Sequence, residues 1–177
     1  GKEVAVVLFG GSPVELPFEG RGKAILNMYL PGQSGGRACA ELLFGRADPS
    51  GRLAETWPLK YEDVPFGSSF SKTEREVYKE SVYVGYRYYT TAGKKVRFPF
   101  GYGLSYTKFS YSELEIAGGK IRFKLKNTGK VRGCETVQIY AGAKNSALAR
   151  PVKELRAYVR ADLAPGEEKT LEVPFEN

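Results

Sequence analysis

The acidic side chains are the residues of this chain best suited to acid–base or nucleophilic chemistry, because the chain contains no histidine. The absence of histidine excludes nucleophile systems of the Ser–His–Asp and Cys–His types. It also excludes the usual zinc sites, which need histidine or several cysteines. The two cysteines, Cys39 and Cys134, stand far apart, and we expect them to be reduced rather than paired. No metal site is predicted.

Six acidic residues could by type supply a catalytic carboxyl pair: Glu15, Glu62, Asp63, Glu74, Glu76 and Glu80. Their spacing brings no two of them to a defined separation. Solvated surface acids, or ion pairs with nearby lysines and arginines, are therefore the favoured interpretation. Glu80 is the best candidate of the six, since it stands close to an aromatic-rich segment at residues 82–89.

That segment places Arg87 among four tyrosines, at positions 83, 86, 88 and 89. Aromatic faces pack against the apolar faces of sugar rings, and a guanidinium donates paired hydrogen bonds. This combination predicts Glu80, Tyr86 and Arg87 as substrate-adjacent residues. The alternative, which the sequence favours, is that the segment attaches a linker to a sheet and that Arg87 forms an ion pair.

Two further patterns have structural interpretations. Gly10-Gly11-Ser12 lacks the glycine spacing and the lysine of phosphate-binding loops, so a tight turn is expected. The net charge is +7, and residues 118–160 hold eleven lysines and arginines but only two acids, Glu135 and Glu154. Within that region, the charged side chains of Lys120 to Lys126 form a basic stripe that faces away from its apolar partners, and nothing beside it supplies the aromatic stacking or groove that nucleic-acid binding needs. A solvated strand face is expected instead.

The pattern of the sequence changes near residue 104, from mixed strand and helix patterns to strand patterns alone. Residues 4–9 are continuously apolar, as in a strand buried on both faces. Residues 21–29 and 34–44 have apolar positions at helical spacing, and Gly45 is placed to cap the second helix. Strand followed by helices is typical of an α/β domain. Residues 58–80 lack periodicity and predict a surface loop, and the aromatic- and glycine-rich residues 98–106 predict an irregular crossing between modules.

The second half has the period-two pattern of β-strands. Strands are predicted over residues 120–126, 135–140, 153–159 and 169–175, with turns between them. Short strands at such intervals indicate an antiparallel sandwich. Four strands are few for a fold that usually has about seven, and the first strand has no partner before it. We therefore expect both modules to be incomplete. No run of apolar residues is long enough to span a membrane.

A series of short strings, in one order, resembles glycoside hydrolase family 3, the β-glucosidase and β-xylosidase type. The strings are VLFGGSPVE at 7–15, YLPGQSGG at 29–36, LFG at 43–45, DPSGRL at 48–53, VGYRYY at 84–89, FPFGYGLSY at 98–106, NTG at 127–129, RPVKEL at 150–155 and LAPGE at 163–167. Each string is weak alone, but together they cover nearly the whole chain.

The resemblance implies α/β plus all-β architecture. Members of the family usually carry a TIM-like barrel, an α/β sandwich and a fibronectin type III-like domain. Residues 1–60 resemble the C-terminal part of the α/β sandwich domain, and residues 104–177 resemble a fibronectin type III-like antiparallel β-sandwich, which we expect to be truncated. Residues 61–103 form the linker and inter-domain segment between them.

For function, the resemblance implies the C-terminal structural portion of a retaining β-glycosidase that hydrolyses O-glycosyl bonds. Such enzymes use two carboxyl groups about 5 Å apart. The family's motifs for the aspartate nucleophile and the glutamate acid/base have no match here, so no catalytic residue is assigned to this chain. We expect it to be inactive alone.

The implied partners are a β-linked glycoside or oligosaccharide, bound through the parent enzyme, together with the TIM-like barrel and the rest of the α/β domain. Neither a cofactor, a nucleic acid nor a membrane is expected. The alternative function is a non-catalytic carbohydrate-binding or protein-interaction module, since fibronectin type III-like folds often serve adhesion.

Overall fold

A computed structural model describes residues 2–17, 24–69, 74–75 and 77–175. The chain begins with β1 (Ala5–Leu8) and β2 (Ala24–Asn27), followed by helix α1 (Gly35–Leu43). β3 (Trp57–Pro58), two short 3-10 turns (Tyr61–Asp63 and Gly67–Ser69), helix α2 (Tyr86–Thr91) and β4 (Val96–Phe98) come next. Five strands complete the chain: β5 (Phe109–Ala117), β6 (Lys120–Asn127), β7 (Gly133–Ala141), β8 (Glu154–Leu163) and β9 (Glu168–Pro174).

The helix predicted over residues 21–29 is wrong for the described part of that range. Ala24–Asn27 form β2, which pairs in parallel with β1 so that Ala5 lies opposite Ala24 and Leu8 opposite Asn27. A short apolar segment fits helical and extended spacing equally well. Pairing with β1 satisfies the backbone groups of both segments and therefore decides between them.

The burial predicted for the first strand is also wrong. Ala5 is exposed, and Val6, Val7 and Leu8 are half-buried. Among the described residues β1 pairs with β2 alone, so the sheet has two strands and covers little of either face. The second predicted helix is confirmed as α1, and Gly45 ends it with a φ of 68°, in the left-handed region that favours glycine.

The region between the two halves is more ordered than a simple linker. The 3-10 turns lie inside the predicted surface loop, part of which (residues 70–73 and 76) falls outside the described residues. Trp57 pairs with Phe98 in the antiparallel β3–β4 ladder, and the two rings meet edge to face at 6.0 Å. The predicted irregular crossing at residues 98–106 is tied back to the first half, because Leu53 N–H donates to Tyr102 O.

The C-terminal half is an antiparallel sandwich of two sheets. One sheet has the order β5-β6-β9 and the other consists of β7 and β8. The four predicted strands are confirmed as β6 to β9, whereas β5 was missed. A bulge between Ser112 and Glu115, where Glu113 has a φ of 53°, breaks the alternation of β5 and explains the omission.

The core of the sandwich lies between these sheets. Ile121, Phe123 and Leu125 alternate with the charged residues of β6 and face inward. They pack with residues from the other strands: Val137, Ile139, Ala161, Leu163 and Val173.

Candidate functional site

The predicted substrate-adjacent residues Tyr86 and Arg87 lie at the start of α2, against strand β8 of the sandwich. The Tyr86 hydroxyl accepts a hydrogen bond of 2.7 Å from Leu155 N–H. Arg87 Nη2 lies 3.4 Å from Glu154 Oε1, and both side chains are partly buried. The structure therefore places Tyr86 and Arg87 side by side against β8. Arg87 has the ion pair that the alternative interpretation predicted.

An aromatic cluster surrounds Tyr86. Its ring stacks on Phe100 with the centroids 5.0 Å apart and meets Tyr140 of β7 edge to face at 5.7 Å. Lys153 Nζ lies 4.8 Å from the centroid of the Tyr140 ring, within cation–π distance. The cluster therefore fills the space between α2, the 98–106 crossing and the second sheet.

Glu80 occupies a different position. It is half-buried, and its carbonyl accepts a hydrogen bond of 2.9 Å from Tyr83 N–H. Among the described residues Arg87 pairs with Glu154 and not with Glu80. The structure therefore does not bring the Glu80 carboxylate into the contact that Tyr86 and Arg87 make.

A second contact between the halves is an ion pair that the sequence did not predict. Arg52 Nη2 lies 2.5 Å from Glu135 Oε2, and the two side chains are only 11% and 14% exposed. The Tyr111 hydroxyl donates to the other carboxylate oxygen of Glu135 at 2.8 Å. Burial, and then the bond to Glu135, raise the pKa of Tyr111, so its hydroxyl stays protonated and remains a donor at neutral pH.

The sequence contained one signal for these ion pairs. Glu135 and Glu154 are the only acids in the basic residues 118–160. Each pairs with an arginine from the first part of the chain, Glu135 with Arg52 and Glu154 with Arg87. Isolated acids in a basic stretch therefore marked the positions where the first part of the chain docks.

A third contact runs through polar groups that are half-buried at its outer end and buried at its inner end. Asp48 Oδ1 accepts hydrogen bonds of 2.7 Å from the Ser105 hydroxyl and from Tyr106 N–H. The Ser105 Oγ in turn accepts a bond from Thr107 N–H at 3.1 Å, and the Thr107 hydroxyl donates to Asn127 Oδ1 at 2.6 Å. The chain of bonds thus leads from the turn after α1 to a residue inside the sandwich.

Asn127 anchors the inner end of this chain. It is fully buried, and its amide nitrogen donates to the carbonyls of Val131 and Leu163 at 2.9 and 3.0 Å. Gly133 leaves room for the same contact, because a Cβ there would lie 2.9 Å from Asp48 Oδ2 and 2.6 Å from Thr107 Cγ2.

We call the three contacts together the seam: the α2 cluster, the Arg52–Glu135–Tyr111 contact and the Asp48–Asn127 chain.

The structure describes four of the other five candidate carboxylates. Glu15 Oε1 accepts a bond of 2.7 Å from Tyr61 N–H, and Glu62 and Asp63 belong to the first 3-10 turn. Glu74 is exposed, and Glu76 lies outside the described residues. No group of three or more cysteine, aspartate or glutamate side chains suited to a metal ion occurs in the described part of the chain. Cys39 and Cys134 are free and half-buried.

Two lysines of the basic stripe of β6 are paired with acids on neighbouring strands. Lys120 lies 2.5 Å from Glu172, and Lys124 lies 2.6 Å from Glu113. The solvated strand face expected there is what the structure contains. A shallow polar depression on this face is lined by side chains of both signs of charge. No helix of the described residues is long and apolar enough to cross a membrane.

Both halves of the chain match families of known proteins. Residues 1–106 match the glycosyl hydrolase family 3 C-terminal domain, and residues 135–177 match the fibronectin type III-like domain. The thermostable β-glucosidase B of Acetivibrio thermocellus is 45% identical over 177 residues, which cover 95% of this chain and 23% of that protein. A β-glucosidase of Kluyveromyces marxianus is 43% identical and covers 97% of this chain and 21% of its own length.

Solved structures show the same relationship. The crystal structure of the Kluyveromyces marxianus β-glucosidase with glucose has a TM-score of 0.89 and 41% identity, over 96% of this chain and 21% of that one. The Bifidobacterium adolescentis GH3 β-glucosidase has a TM-score of 0.92 and 38% identity, over 97% and 27%. The chain therefore spans about a fifth to a quarter of the length of these proteins.

Proposed function

Because this chain belongs to glycoside hydrolase family 3, we propose that it is the C-terminal structural portion of a retaining β-glycosidase of the β-glucosidase type. The substrate of the whole enzyme would be a β-linked glucoside or a related glycoside or oligosaccharide. The observation that carries this proposal is the match of residues 1–106 to the family's C-terminal domain, together with β-glucosidases 38–45% identical over nearly the whole chain.

In this proposal the chain supplies support and not the reacting carboxyls. A retaining mechanism needs a nucleophile and an acid/base about 5 Å apart across the scissile bond. We propose that the TIM-like barrel and the rest of the α/β domain provide both. The contribution of this chain is rigidity, because the seam attaches residues 48–106 to the sandwich through two ion pairs and a buried hydrogen-bond chain.

The proposed organisation has three parts. Residues 1–60 form the C-terminal part of the α/β domain, residues 61–103 form the inter-domain segment, and residues 104–177 form the fibronectin type III-like domain. The two fold classes are those of the matched families. A role of Glu80, Tyr86 and Arg87 near the outer part of the substrate pocket stays a prediction. The Arg87 side chain is partly exposed, which would allow a sugar to contact it.

Complementation tests the proposed function. The purified 177-residue chain should not hydrolyse nitrophenyl β-glucoside above the buffer rate. Mixing it with a form of the Acetivibrio thermocellus β-glucosidase B that lacks the corresponding region should restore hydrolysis, because the two are 45% identical there. The truncated relative alone is the control and should be inactive. Hydrolysis by the chain alone would show that its own residues carry the chemistry.

A further inference from the structure

The outer face of β8 carries a tyrosine between two arginines. Ala157, Val159 and Ala161 pack into the sandwich core. Since side chains alternate along a strand, Arg156, Tyr158 and Arg160 point away from the core, and all three are exposed. We call these three residues the β8 face. Alternate residues on a strand lie about 6.8 Å apart, so the three side chains form a continuous row.

Tyr158 is available to a ligand. It is 67% exposed, and it lies opposite Gln138 in the β7–β8 ladder. In contrast to Tyr86 and Tyr140, which pack inside the seam, Tyr158 has no ring partner among the described residues. An exposed aromatic ring fixed on a regular strand offers a rigid apolar surface at little entropic cost.

The surroundings of the β8 face are positively charged. Glu154 is shared by Arg87 and Arg156, whose nitrogens lie 3.4 and 3.6 Å from its two oxygens. Arg160 has no carboxylate partner in the described part of the chain and is held by the Ser50 hydroxyl at 3.0 Å. With Lys153, four cations lie near two acids, Glu154 and Asp162, and Asp162 is itself paired with Arg132. On the outer face of the other sheet, by contrast, Lys120 and Lys124 are each paired with a glutamate.

We propose that the β8 face binds an acidic polysaccharide, one whose sugar rings carry carboxylate groups. The face of a sugar ring would pack on Tyr158, while the guanidinium groups of Arg156 and Arg160 would donate charge-assisted hydrogen bonds to the ring carboxylates. This surface borders the seam, because Arg156 shares Glu154 with Arg87 and Arg160 contacts Ser50. The proposal goes beyond the proposed function and does not depend on it, since it concerns a ligand other than the glycoside that is hydrolysed.

A single-stranded nucleic acid fits the same surface less well. Sites for single strands stack successive bases on several aromatic side chains inside a basic groove. The β8 face has one exposed tyrosine on an open strand. Nucleic-acid binding is therefore an outcome that the experiment must distinguish.

Affinity electrophoresis of the whole chain tests the proposal. The gels contain either polygalacturonate or the same polymer with its carboxyls methyl-esterified, which keeps the rings and removes the charge. We expect the chain to be retarded by polygalacturonate, with retardation falling as salt rises, and to migrate freely through the esterified polymer. Equal retardation by both polymers would overturn the role of the arginines, and no retardation by either would overturn the proposal.

Three variants locate the site. Tyr158→Ala should weaken binding about three- to tenfold, as expected for loss of one stacked ring. The double variant Arg156→Gln/Arg160→Gln should weaken it about tenfold or more, since two charge-assisted contacts are lost. Arg122→Gln is the matched control, because it removes the same type of charge from the outer face of the other sheet. Circular dichroism confirms that each variant is folded.

Two results would contradict the site. If Arg122→Gln weakened binding as much as the β8 variants, the retardation would reflect net charge and not the β8 face. If a single-stranded oligonucleotide displaced polygalacturonate at lower concentration than free oligogalacturonate does, the surface would be a nucleic-acid site.

Discussion

At the residue scale, the two glutamates of the basic stretch have the best-defined role. Glu135 pairs with Arg52 and accepts a hydrogen bond from Tyr111. Glu154 pairs with Arg87 and Arg156. The Glu135 contact is the more buried of the two, so water screens it less. A buried pair of this kind contributes little relative to an apolar pair, but losing one partner leaves a charge without compensation.

Breaking the Arg52–Glu135 pair from one side should therefore be costly. We expect Glu135→Gln and Arg52→Met each to lower the free energy of unfolding by about 2–4 kcal/mol. The double variant should lose less than the sum of the two, with a coupling of about 1–3 kcal/mol. Urea unfolding of the four proteins measures this cycle.

The exposed pair Arg132–Asp162 is the control, since its side chains are 64% and 53% exposed. Its cycle should show no measurable coupling, because exposed pairs are screened by solvent. Strictly additive losses at Arg52 and Glu135 would mean that their close approach does not stabilise the seam.

At the element scale, α2 connects the first part of the chain to the sandwich. It is only six residues long, too short to be stable on its own, and it begins after Gly85 at a φ of 56°. Its side chains bind backbone donors before and at the start of β8: the Tyr86 hydroxyl accepts from Leu155 N–H and the Thr91 hydroxyl accepts from Val152 N–H at 3.1 Å. Packing and these bonds therefore hold α2 in place.

Substitutions in α2 separate a structural role from sugar contact. Tyr86→Phe should lower the free energy of unfolding by about 1–2 kcal/mol, because it leaves Leu155 N–H without its acceptor. Tyr158→Phe, at an exposed ring, should have no effect.

In the complete enzyme, Arg87→Ala should lower Tm because it breaks the pair with Glu154. If Arg87→Ala leaves kcat/KM unchanged, the predicted sugar contact is wrong.

At the scale of the whole molecule, the two halves differ in how well they bury their apolar residues. The sandwich has a core of eight buried residues. Around the β1–β2 sheet, by contrast, Phe9 is 59% and Leu30 77% exposed, and Phe44 after α1 is 79% exposed. Exposed apolar surface of this extent marks an interaction site or leads to association.

We therefore expect the purified chain to self-associate. Sedimentation velocity should show an average mass that rises with protein concentration. Phe9→Ser/Leu30→Ser should reduce this association, while Leu148→Ser, at a residue 70% exposed in the loop between β7 and β8, should not. A chain that is monomeric at all concentrations and unfolds cooperatively would contradict the expectation that the first half needs a partner.

Local patterns in the sequence were enough to predict α1 with its glycine cap and strands β6 to β9, because each depends on residues close together in the chain. The family followed from the order of short strings along nearly the whole chain. β2 and helix α2 were not predictable in this way, since pairing with another segment or packing outweighs their local preference. The strand β5 was missed because its bulge breaks the alternation. The candidate functional site was likewise predictable only in part. Residue types pointed to Tyr86 and Arg87, but the contacts of Arg52 with Glu135 and of Arg87 with Glu154 join residues 83 and 67 positions apart. Such contacts exist only once the two halves pack together, because spacing along a chain carries no information about which distant charges meet.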